Sequence, residues 1–228
     1  MRLFKRCDGG EDVDTVLESH FDSPSGRLLT FSDTNALESI VDEHGPMDVV
    51  FVMVNTEKYG GAGTVLHTRR VHRRALPAPT FAAQDTTSFQ IAVHELGHSM
   101  AGLADEYEDQ ALVPRRPLPT GERDLPDPNV TVAGRFDDSS FETLKTTLKW
   151  KRFLELPGAR KHKWIHEGGY YRAEGVFRPW RTCKMLKNED VFCPVCCEAM
   201  AKAIFEFSGG TWDEVQYHKE HKLKLWRK

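Results

Sequence analysis

The chain lacks any apolar run approaching the ~20 residues that a membrane-spanning helix needs, and its opening MRLFKRCDGGEDVD carries charges with no apolar stretch behind them. Neither a membrane span nor a secretory leader is therefore expected, and the sequence as it stands reads as soluble and cytoplasmic. It also has little charge of either sign in excess. The 31 basic and 34 acidic residues are mixed along the sequence and leave a formal charge of −3, so nothing electrostatic draws it to nucleic acid or to an anionic membrane. Only the last stretch, HKEHKLKLWRK, is locally basic, and it reads as a solvated end. There is no internal repeat. Cysteine is scarce until late: of five, four fall between Cys183 and Cys197, a spacing that leaves disulfide, metal ligation and free thiols all open.

With 228 residues, the chain is long enough for one domain with a sizeable core. SDTNALESIVDEHGP has Ser32 or Asp33 as a cap, apolar residues at helical spacing and a Gly45-Pro46 stop, which predicts a helix. MDVVFVMVN follows as a short valine-rich run, the pattern of a strand buried on both faces. EKYGGAGTVLHTR then offers Gly60, Gly61 and Gly63, which suit a tight turn or a close approach of another backbone, and a strand at TVLHT. DTTSFQIAVHELGHSMAG predicts a second helix, capped between Asp85 and Ser88 and stopped at Gly102. At about 100° per residue, Phe89, Val93, Leu96 and Met100 form a stripe expected to face the sheet. Residues 111–138, rich in proline and charge, read as an irregular surface excursion. FETLKTTLKWKRFLEL looks helical, GGYYRAEGVFRPWRT looks like turns with short extended pieces, and PVCCEAMAKAIFEF looks like a helix starting at Pro194. One domain over 1–228 is expected: a sheet and active-site helix in 1–110, the excursion, a cysteine-bearing part in 139–207 and a tail at 208–228.

The chemistry is concentrated in HELGHSMAGLADEY. Two histidines four apart on a helix project from one face and can grip one zinc ion, which makes His94 and His98 ligands. Glu95, one step round the helix, is then placed as a general base and acid for water attack on a peptide carbonyl. No histidine follows to complete the set. After Gly102 the first side chain able to coordinate is Asp105, with Glu106 directly behind it. A carboxylate added to two imidazoles leaves an open position, as in catalytic zinc sites, so Asp105 is the expected third ligand and Glu106 the alternate.

YGGAG, HELGHSMAGLADEY, PDPNVT, KWKRFLEL and EGGYYRAEGVFRPWRTCKM with FCPVC together resemble the IgA-peptidase family of zinc metallopeptidases over roughly 48–205. The resemblance implies an α/β, metzincin-like fold with a mixed twisted sheet, an active-site helix and a C-terminal helical subdomain bearing a methionine turn, here Met185. It implies a zinc cofactor and a peptide or protein substrate, and its members are typically secreted. The sequence departs from the usual metzincin run in one respect: Gly102 stands one residue later after the second histidine, which keeps Glu106 in play.

Tyr170 and Tyr171, nearest the methionine turn, are candidates for donating a hydrogen bond to an oxyanion, beside the ordinary role of a packed tyrosine. Tyr59, Gly60, Gly61 and Gly63 are expected to wall the substrate cleft, with the strand beyond them pairing with an extended peptide. Cys183, Cys193, Cys196 and Cys197 read as structural, through a disulfide or a second zinc. His67, His72, His162 and His166 have no partner at ligand spacing, and the sequon at Asn129 reads as fortuitous. The rival to an endopeptidase is a silent relative that keeps the fold as a binding module. Every chemical residue of the motif is nevertheless intact.

Overall fold

Asp33 begins the first helix, α1 (Thr34–His44), by accepting the Ala36 N–H at 2.9 Å, and Gly45 at φ 85° ends it. The computed structural model describes residues 16–22, 26–67, 75–120, 124–132, 148–155 and 164–220. Before α1 lies a small antiparallel pair, β1 (Ser19–Phe21) and β2 (Leu29–Phe31). After it comes a mixed three-stranded sheet in the order β3 (Val52–Val54), β5 (Leu76–Ala82), β4 (Gly61–Leu66), with β3 parallel and β4 antiparallel to β5. Leu37 and Val41 of α1 pack with Val52, Val54, Ala78 and Ala82 on one face.

The strand buried on both faces is not the one the sequence suggested. Of MDVVFVMVN only Val52–Val54 forms a strand, at the edge of this sheet, and Met53 is 63% exposed. The doubly buried strand is β5, LPAPTFA, every residue of which is buried. Alternation sends Ala78 and Ala82 towards the α1 side and Phe81 towards Ile91 and Ala92 of the second helix.

That helix, α2 (Ser88–Ala101), crosses β4 and β5. Its buried side is Ile91, Ala92, His94, Glu95, Gly97 and Ser99, whereas Phe89, assigned to the sheet-facing stripe, is 76% exposed. The stripe fails because the face laid on the sheet is chosen by the glycines of β4, described below, which admit the Ile91–Glu95–His98 side.

The C-terminal half is not purely helical. The stretch expected to be turns with short extended pieces forms β7 (His166–Gly169) and the seven-residue β8 (Arg172–Arg178), and β6 (Thr131–Val132) completes an antiparallel sheet in the order β6-β8-β7. The excursion therefore returns to the body: Asn129, Val130 and Thr131 are fully buried. Of the helix expected around FETLKTTLKWKRFLEL, α3 (Lys151–Leu154) falls within the described residues, and 133–147 lie outside them. α4 (Pro194–Phe207) starts at its proline as expected and packs on α2, and α5 (Glu214–Glu220) follows. Trp150, Phe153, Trp164, Met185 and Val195 build the core between them. Among the described residues no helix is long and apolar enough to cross a membrane.

Candidate active site

Each histidine of α2 is fixed from behind. His94 Nδ1 lies 2.9 Å from the Lys184 carbonyl oxygen and His98 Nδ1 lies 2.5 Å from that of Leu103. Donation from both Nδ1 atoms leaves both Nε2 lone pairs free, the tautomer that a metal ligand needs.

Gly102 makes the third member reachable. At φ 62° it ends α2 in the left-handed region, and the Leu103 N–H turns back to the Gly97 carbonyl. The next turn is clamped by buried Asn129, whose Oδ1 accepts the Ala104 N–H at 2.8 Å and whose Nδ2 donates to the Ala104 carbonyl at 2.9 Å. A glycan has no access to that side chain. Asp105 Oδ1 then lies 2.9 Å from His94 Nε2 and 3.2 Å from His98 Nε2, with the two Nε2 atoms 3.1 Å apart. Nitrogen and oxygen ligands around one tetrahedral zinc stand about 3.3 Å apart. Lone pairs brought this close repel unless a cation or proton sits among them, so the donor set fits a divalent metal. Burial lowers the affinity of His98 for a proton, but the Asp105 carboxylate outweighs it and raises the pKa to about 9. Burial likewise opposes the charge of Asp105, and His98 and His94 hold it well below the usual carboxylate range.

The Asp105 loop is held by a strained hairpin tip. Tyr170 and Tyr171 link β7 to β8 with φ of 51° and 68°, a conformation costly for bulky residues. It lets the Tyr170 N–H reach the Asp105 carbonyl at 2.8 Å and the Tyr171 N–H reach that of Tyr107 at 3.1 Å. The Tyr171 hydroxyl donates to Asp105 Oδ2. Of the two tyrosines only Tyr171 brings its hydroxyl to this cluster, and it is engaged by Asp105.

Glu95 is buried beside the histidines and lines a cleft of about 1020 Å³ with them, Asp105, Arg27, Tyr59, Tyr107 and Tyr171. Burial pushes its pKa up, while His94 and His98 pull it down. Two glycines of β4 create its place. A Cβ on Gly61 would stand 2.5 Å from Glu95 Oε1, and one on Gly63 would stand 2.1 Å from the Cβ of His98. Gly61 and Gly63 thus serve the close approach of helix to strand as well as lining the cleft. Gly60 instead packs under Phe21 and the Arg27 carbonyl. Tyr59 accepts a hydrogen bond from Asn188 Nδ2 at 2.7 Å, and Arg27 stacks between the Tyr59 and Tyr107 rings, 5.3 Å from each centroid. Neither Arg27 nor the Lys184 and Leu103 carbonyls carry a motif signal, and only the fold brings them to the site.

Glu106, the alternate third ligand, is turned away. Adjacent residues of an extended loop point to opposite sides, and its N–H bonds to the Met185 carbonyl at 2.8 Å while its carboxylate accepts from Asn129 Nδ2 at 2.9 Å and faces Cys196. Burial pushes its pKa well up. Met185 is fully buried beneath α2, its sulfur against Gly97. Cys183, Cys193 and Cys196 come together with Glu106, and Cys197 does not. Consecutive residues on a helix face about 100° apart, so Cys197 is carried away from Cys196 and its Sγ lies 3.4 Å from the Phe192 carbonyl.

The family model described as IgA Peptidase M64 matches residues 9–159. The matched stretch contains His94, Glu95, His98, Asp105 and Glu106 and ends before the cysteine-bearing segment. No curated protein matches the chain.

Proposed function

The chain belongs to the IgA peptidase M64 family, and we propose that within this peptidase class it is a zinc-dependent endopeptidase whose metal is held by His94, His98 and Asp105. The observation that carries the reading is the convergence of two Nε2 atoms and one carboxylate oxygen within 3.2 Å of one another at the floor of a cleft. Zinc bound by such a set acidifies a water and polarises the scissile carbonyl.

The chain's own residues do the rest. Glu95 takes the proton from the attacking water and hands it to the departing amine, and its burial favours the protonated form it must pass through. Lys184 and Leu103 keep the imidazoles in the ligating tautomer, and Tyr171 orients the aspartate. Among the described residues β4 is the outer strand of its sheet, bridged to Leu28 at Gly61 and lying beside the cleft, and an extended peptide is held there by strand addition. The position of Met185 under the α2 motif supports a metzincin-like arrangement with Met185 as the methionine turn.

Chelation tests the reading. Metal-free protein should not cleave an unspecific peptide mixture, and stoichiometric zinc should restore cleavage. Full activity without metal would overturn it. Zinc uptake with no cleavage of any peptide would favour the silent binding module.

A further inference from the structure

Immediately behind the histidine cluster, Glu106, Cys183, Cys193 and Cys196 each offer a ligand atom, and the four atoms lie within 4.8 Å of one another. All four side chains are sealed from solvent, none more than 2% exposed. Cys183 Sγ stands 3.6 Å from Cys196 Sγ, and Cys196 Sγ stands 3.7 Å from Glu106 Oε1. Thiolates around one tetrahedral zinc are about 3.8 Å apart, whereas bonded sulfurs of a disulfide are about 2.05 Å apart. The Cys193 N–H donates to Cys183 Sγ at 3.3 Å, a bond that helps sulfur carry negative charge. Independently, Glu106 Oε2 is buried with no hydrogen-bond partner among the described residues. An ionisable group sealed in this way is costly unless something charged pairs with it.

We propose that Glu106, Cys183, Cys193 and Cys196 bind a second metal ion, of the zinc type, in a closed structural centre. Thiolates select a soft divalent ion, and four buried protein ligands leave no position for substrate. Cys197 is not a ligand. The centre ties three segments together: the loop Asp105–Glu106, the stretch Cys183–Met185 whose Lys184 carbonyl orients His94, and the start of α4. It braces the histidine cluster without entering its chemistry. The inference rests on these four residues and not on the peptidase reading.

Cobalt(II) titration of the full chain, stripped of metal under reducing conditions, reads it directly. Two ions should bind, one of them with thiolate-to-cobalt charge-transfer absorption and the strong visible bands of a tetrahedral site. His98→Ala should abolish the other ion's binding and leave those bands in place. Cys197→Ser should leave them unchanged, and Glu106→Gln should weaken the thiolate site by more than about 10-fold. Binding of two ions with no thiolate charge transfer, or loss of the bands in Cys197→Ser, would overturn the proposal. So would unchanged affinity in Glu106→Gln, or a Cys183–Cys196 disulfide found by mass spectrometry in protein isolated without reductant.

Discussion

Tyr171 donates its phenolic hydrogen to the carboxylate of Asp105, 66 residues earlier, from a hairpin tip at positive φ. The aspartate has one oxygen for the histidines and the other for this tyrosine. Tyr171→Phe removes that partner while keeping the ring, so it should weaken zinc binding about 10- to 100-fold, as removal of such partners does. Competitive zinc titration measures it. An unchanged affinity would mean that the loop alone orients Asp105.

Asp105→Ala and Glu106→Ala should separate the two neighbours. The first removes a bond to the metal and the anion that offsets its charge, so zinc at the histidine cluster should weaken by more than about 100-fold. The second should cost that cluster at most about 10- to 100-fold, through loss of bracing. Zinc titration of both variants, with folding followed by circular dichroism, gives the order. Greater damage at the histidine cluster from Glu106→Ala would reverse the assignment.

Gly63→Ala places a methyl group 2.1 Å from His98 Cβ and 3.1 Å from the Glu95 carbonyl. Neither neighbour is a flexible tip, so α2 must move off β4. Destabilisation of about 1–3 kcal/mol is expected from such overpacking, together with reduced peptide cleavage. Urea denaturation checks the first and a peptide assay the second. Gly210, whose nearest contact would be 3.2 Å away, supplies the control, since Gly210→Ala should leave cleavage unchanged.

What the sequence disclosed followed the range of the interactions. Helix α1 was legible because each of its signals acts over a few residues: Asp33 caps the Ala36 N–H, buried Leu37 and Val41 stand one turn apart, and the Gly45 N–H closes on the Val41 carbonyl. The approach of His94, His98 and Asp105 was legible for the same reason, with Gly102 reversing the chain between them. β5 was not, because Pro77 and Pro79 are foreign to a central strand, and its identity is decided by the helices on either side. The buried face of α2 was misread because periodicity weighs Phe89 by its hydrophobicity, while the fit is set by absent side chains at Gly61 and Gly63 on another element. Glu106 stayed an alternate to the preferred Asp105 because its separate surroundings come from cysteines 77 to 90 residues further on, beyond the reach of local spacing.

The most direct test is Glu95→Gln, assayed for zinc content and peptide cleavage on the same preparation. Glu95 is not a ligand in this account, so zinc should be retained at the parent level, while loss of the proton acceptor should lower the cleavage rate by at least about 10² to 10⁴. Retained zinc with cleavage close to the parent rate would contradict the central claim that Glu95 is the general base beside the metal.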